Sequence, residues 1–135
     1  MSTPRTQLAE QIQADNPAFR VFDYGHRPAN VNPGKPVVTV IRTELGPGER
    51  VLALDHTLQV LAIGSKTDPE AAEDELDDLL DAVCLSIERL REWRMTSCKR
   101  ASLFEDSFTG WVIDVTCTSP NVYRETVQKE NRGNG

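Results

Sequence analysis

The chain has 135 residues, 39% of them hydrophobic, and a formal net charge of -6. That length suits one domain with a genuine core and argues against a disulfide-held miniprotein or a disordered tail. No apolar run approaches the roughly 20 residues that cross a bilayer, and the opening MSTPRTQLAEQIQ holds no apolar signal segment, so an intracellular protein is expected.

The charge is unevenly spread. Between Asp68 and Asp81 stand eight carboxylates and no Lys or Arg, which leaves 15 basic against 13 acidic residues elsewhere, or +2. A nearly neutral molecule with one acidic pole lacks the basic face of a general nucleic-acid binder. The three cysteines (Cys84, Cys98, Cys117) are widely separated and form no C-x-x-C pair. Free, mostly buried thiols are expected, with neither a zinc site nor a structural disulfide.

In chain order, Thr3 and Pro4 read as the N-cap and first residue of a helix. Leu8, Ala9 and Ile12 supply its apolar stripe to about Asp15, where DNPA stops it. The alternating FRVFDY, residues 19–24, reads as a strand. GHRPANVNPGKP, residues 25–36, is loop chemistry throughout, and loops of that length are often functional. His26, Arg27, Asn30, Asn32 and Lys35 are therefore candidate docking residues. VVTVIRTEL is a second strand and VLALDHTLQVLAIGS a third, with Asp55 and His56 marking an expected bulge or outward step.

Asp68 and Pro69 repeat the helix-start signal. Ala72, Leu76, Leu79, Leu80, Val83, Ile87 and Leu90 then recur at helical spacing over more than five turns. Acids lead this helix, and Arg89, Arg91 and Arg94 are expected to complement its dipole near the end. MTSCKRASLFED and GWVIDVTCTS complete the strands, with Trp111, Ile113, Val115 and Cys117 on one face and Val112, Asp114, Thr116 and Thr118 on the other. Residues 1–119 are thus expected to form one domain, and 120–135 a polar C-terminal extension, partly disordered. The order α-β-β-β-α-β-β implies an α+β fold, with two helices on one face of a mostly antiparallel sheet and the other face open for association.

No constellation for chemistry emerges. The helical acids radiate into solvent rather than converge on a metal, no EF-hand glycine is present, and no nucleophile elbow or Walker loop occurs. His56 reads as a half-buried packing residue, and Trp93 as cover for the core edge. No catalytic residue, metal or cofactor is expected. Arg42, Glu44, His56, Trp111 and Asp114 are candidate interface residues. Glu70, Glu73, Asp74 and Asp77 are candidate acids facing a lumen or partner.

Several stretches resemble one family. VFDY at 21–24, PVVTVIRTEL at 36–45, HTLQVLAIGSKTDP at 56–69, the acidic helix at 73–81 and the W-x-I-x-V-T strand at 111–116 are similar in order and texture to the tail terminator proteins of long-tailed bacteriophages, especially those infecting actinobacteria. The resemblance covers roughly residues 4–119. It implies a small α+β subunit without active site or cofactor, assembled in the host cytoplasm and located in the virion. There it would form a hexameric ring that caps the tail tube, halts tube polymerisation and offers a surface to the head–tail connector. Its partners would be further copies of itself, the tail tube protein and the connector protein, with phage DNA passing through unbound. A head-closure or connector protein, or a cytoplasmic acidic binding domain, are the competing readings.

Overall fold

A computed structural model of the chain describes residues 3–25, 35–48, 53–66, 68–103, 108–120 and 122–133. Helix α1, Pro4–Asp15, begins where Thr3 accepts a hydrogen bond from the Thr6 amide at 3.2 Å. Strands β1 (Arg20–Phe22), β2 (Val37–Pro47) and β3 (Ala53–Ile63) come next. Helix α2, Pro69–Glu88, starts at the Asp68 cap, whose carboxylate accepts from the Ala71 amide at 3.0 Å. Strands β4 (Trp93–Leu103) and β5 (Phe108–Pro120) precede a third helix, α3, Val122–Gly133. The fold is α+β with a mostly antiparallel five-stranded sheet, in the order β1-β2-β3-β5-β4.

The sequence stripe correctly orients α2. Leu76, Leu79, Val83 and Ile87 face inward and meet Leu8, Ala9 and Ile12 of α1 over Val38, Val40, Leu58, Val60, Ala62, Ile113, Val115 and Cys117 of the sheet. Both helices lie on this one face. Burying such side chains stabilises by about 1.5–3 kcal/mol each relative to exposure, which is why this layer holds the molecule together. A polar clasp fixes the helix pair: Asp15, at the end of α1, accepts from Ser86 of α2 at 2.8 Å and pairs with Arg89 at 2.8 Å.

Four features differ from the sequence reading. First, α3 adds a helix where a polar extension was expected. Its described side chains are all exposed, so no buried stripe announced it. Second, Asp55 and His56 pair regularly with Thr118 and Cys117; the irregularities fall at Thr43 in β2 and Thr96 in β4 instead. Each inserts one residue and reverses the in–out alternation in the rest of its strand. Third, α2 ends at Glu88 with no basic residue in its last turn, so Arg91 and Arg94 lie beyond it; a single residue in the left-handed region, Glu92 at φ 64, turns the chain into β4. Fourth, β1 pairs with β2 in parallel, Arg20 opposite Val37. Parallel neighbours need a connection of about a dozen residues or more, which by itself accounts for the length of the Pro/Gly-rich segment.

The strands β3 and β4 both run antiparallel to β5, and α2 links them across its position. This split β-α-β arrangement puts β4 at a free edge of the sheet, beneath α2.

Candidate functional site

Strand pairing sorts the side chains onto two faces. The face away from α1 and α2 carries Arg20 and Phe22 of β1, Val37, Thr39 and Ile41 of β2, Thr57, Gln59, Leu61 and Ile63 of β3, and Val112, Asp114 and Thr116 of β5. Among the described residues no helix covers it, although Val37, Thr39 and Ile63 are buried; Ile41, Thr57, Gln59, Leu61, Val112, Asp114 and Thr116 are half-buried. At its β1 edge Phe22 and Tyr24 meet edge to face with centroids 5.6 Å apart, and Arg20 lies 5.6 Å from the Phe22 centroid. Tyr24 is 53% exposed. Half-buried Ile41, Leu61 and Val112 with an exposed aromatic at the rim make the kind of surface that other proteins cover.

The five candidate interface residues do not converge. Arg42 lies opposite Leu58 on the helix-side face, whereas Glu44 lies opposite Thr57 on the other, because Thr43 bulges between them. Asp114 joins Glu44 on the helix-free face and accepts from Ser97 Oγ at 2.8 Å. Trp111 faces α2, where its indole N–H donates to the Leu76 carbonyl at 3.1 Å. That indole serves internal packing. His56 is buried on the helix-side face; Nε2 sits 2.7 Å from Ser119 Oγ, and Nδ1 has no hydrogen-bond partner among the described residues. Burial first, and then the Arg42 cation, push its pKa down, with Asp55 opposing. His56 is therefore a neutral packing residue at neutral pH.

The acids of α2 divide by task. Asp68 caps the helix. Glu75 clamps the β3–α2 connection, accepting from the Ser65 amide at 2.6 Å, the Ser65 hydroxyl at 2.5 Å and the Lys66 amide at 3.0 Å. A side chain at Gly64 would run into that carboxylate. Glu73 forms a two-pronged pair with Arg100 of β4, and hydrogen bonding from the guanidinium holds its pKa below the usual range. Arg100 also lies 5.7 Å from the Trp111 ring. Glu70, Asp74, Asp77, Asp78 and Asp81 are exposed and make no ion pair or hydrogen bond among the described residues. Of the four candidate partner-facing acids, Glu73 is thus already committed, while Glu70, Asp74 and Asp77 are available.

A cleft of about 430 Å³ opens between the start of α2 and the β3 and β5 ends, lined by Ile63, Lys66, Glu73, Glu75, Arg100 and Phe108 among others. Its two described carboxylates are held by Arg100 and by the Ser65–Lys66 turn. No three His, Cys, Asp or Glu side chains converge among the described residues, and no described helix is long and apolar enough to cross a membrane. His26, Arg27, Asn30 and Asn32 lie outside the described residues; Lys35 is exposed just before β2. The chain matches no family model and no curated protein.

Sequence reasoning missed Glu75, Arg100 and Ser86 as positioning residues. Their partners lie 10, 27 and 71 residues away, and no local pattern links them.

Proposed function

We propose that this chain is a structural subunit of a long-tailed bacteriophage, a tail terminator whose copies form a ring at the end of the tail tube. The observation that carries the reading is the sheet face opposite α1 and α2, which no described helix covers and which presents half-buried Ile41, Leu61 and Val112, with Phe22 and Tyr24 at its edge. A closed ring requires two unlike patches that fit each other by rotation. The helix-free face and the acid-rich exterior of α2 are two such unlike surfaces on opposite sides of the subunit. The resemblance across residues 4–119 supports the same reading and supplies the expected count of six, with the tail tube and the head–tail connector on either side. Acids facing the lumen would repel DNA phosphates and keep the passing genome from sticking.

The test is a phage particle assembled without the protein. Overlong or unjoined tails are expected. Tails of normal length joined to capsids would end the proposal. Replacing Glu70, Asp74 and Asp77 with the amides separates the acids' contribution: reduced ring assembly or tail joining is expected, and unchanged tail length and infectivity would remove them from the interface.

The five uncommitted carboxylates favour a second reading, an acidic domain that binds a basic partner. Such binding weakens steeply with added salt, whereas a ring built on an apolar sheet face tolerates it. Neck proteins of the head-closure or connector type share the architecture proposed here and differ in their position in the particle.

A further inference from the structure

The bulge at Thr96 has a chemical consequence. In a regular strand, residues three apart point to opposite faces. Here the inserted residue leaves Met95 opposite Val115 and Cys98 opposite Ile113, and both of those partners belong to the buried helix-side layer. Met95 and Cys98 therefore point together toward α2. Cys84 reaches down from α2 to meet them: its thiol donates to Met95 Sδ at 3.2 Å, and the Cys98 thiol donates to the same sulfur at 3.1 Å. Three sulfur atoms from three positions thus converge beneath the helix, and both thiols are half-buried rather than sealed in.

We propose that Cys84, Met95 and Cys98 form a three-sulfur site for one soft monovalent metal ion of the Cu(I) type. Thiolate and thioether ligands select such ions. Zinc takes four ligands in its structural sites, and among the described residues no fourth His, Cys, Asp or Glu joins the group. The two S–H protons now aimed at Met95 Sδ are the ones the ion would displace: each thiol becomes a thiolate, two protons leave to solvent, and no electron is transferred. Taking a metal–thiolate bond of about 2.3 Å, a planar three-coordinate ion needs its sulfurs roughly 4 Å apart, so each cysteine–methionine sulfur separation must open by under about 1 Å. The unbranched Met95 side chain, with three rotatable bonds, can supply that movement.

The surroundings favour a cation over a bare thiolate. Burial pushes the Cys84 thiol up to about 12, followed by the influence of Cys98 and of the carboxylates of Asp81 and Glu88. Those two acids flank Cys84 on α2 at i-3 and i+4. The negative charge of Asp81 and Glu88 beside Cys84 attracts a positive ion. Cys117, buried on β5 and likewise pushed up to about 12, stands apart from the cluster and serves as an internal control.

This inference is independent of the assembly reading. The test titrates Cu(I) into the reduced chain under anaerobic conditions against a colorimetric Cu(I) chelator, with Zn(II) and Ag(I) in parallel. One equivalent of Cu(I) or Ag(I) is expected, with little Zn(II), and the ion should shield Cys84 and Cys98 from alkylation. Cys84→Ser and Cys98→Ser should each abolish tight binding. Met95→Leu, which preserves volume, should weaken it at least as much as loss of a supporting ligand contact does elsewhere, about tenfold or more. Cys117→Ala should leave it unchanged. Circular dichroism of the metal-free variants establishes that they are folded. Affinity unchanged in either serine variant or in Met95→Leu overturns the proposal, as does a preference for Zn(II).

Discussion

Truncating one leucine and then another on the same helix tests the layer on which everything else rests. Leu79 is 2% exposed and Leu85 is 55% exposed, though both lie on α2 six residues apart. Leu79→Ala removes three buried carbons from the interface between α2 and the sheet and leaves a cavity, at a cost of about 2.7–5 kcal/mol. With an unfolding entropy of about 2.1 cal/mol/K per residue, a chain of 135 residues gains roughly 0.28 kcal/mol/K at its midpoint. The melting temperature should therefore fall by about 10 °C or more. Leu85→Ala, on the exposed side, should stay within about 0.5 kcal/mol of the parent, or roughly 2 °C. Thermal denaturation followed by circular dichroism, backed by urea titration under reducing conditions, measures both. Equal shifts, or a larger loss at Leu85, would mean that α2 presents a different face to the sheet and that the assignment of covered and uncovered faces is wrong.

Three further outcomes are expected. Hydrogen bonds from Gln11, Ser86 and Arg89 lower the Asp15 pKa from 3.8 to about 2. Its contribution is fully present above pH 4 and lost as pH falls towards 2, so Asp15→Asn should lower the melting temperature at pH 7 and converge with the parent near pH 2. Burial lowers the pKa of His56: the unfolded chain binds the proton more readily, so parent stability should decline as pH drops below about 6.5. His56→Gln should flatten that decline in melting curves recorded from pH 7 to 5. Trp111→Phe keeps most of the ring but removes the indole N–H bond to the Leu76 carbonyl, which retains its helical partner, and chemical denaturation should register a loss of about 0.5–1.5 kcal/mol.

The sequence revealed those parts of the fold that local rules govern. Thr3–Pro4 and Asp68–Pro69 mark helix starts because a capping oxygen followed by a proline satisfies the first turn with no tertiary help. The α2 stripe and the alternation from Trp111 to Cys117 are periodic, and periodicity is what burial against a flat sheet imposes. The bulges at Thr43 and Thr96 were not legible: an extra residue in one strand is defined only against its partner strand. That single ambiguity separated Arg42 from Glu44 and concealed the convergence of Met95 with Cys98. The parallel β1–β2 pairing was hidden for the same reason, and with it the topological cause of the long connection. Helix α3 escaped notice because Tyr123 and Val127, at 59% and 53% exposure, form no buried stripe among the described residues. The acidic run was easier to read in aggregate than in detail. Its helix-capping and solvating roles come from position along the helix, but the commitment of Glu73 to Arg100 and of Glu75 to the Ser65–Lys66 turn depends on where β4 and the β3 end arrive in space.

The central claim is that a sheet face covered by no described helix fits against further copies of this chain at the junction of capsid and tail. Electron cryomicroscopy of the neck in particles carrying a tagged copy of this chain addresses it most directly. A ring of copies at the capsid-proximal end of the tail tube, each laying its β1–β2–β3–β5 face against a neighbour, is the predicted result. Density for the tag elsewhere in the particle, or a ring in which that face remains solvent-exposed, would contradict the account.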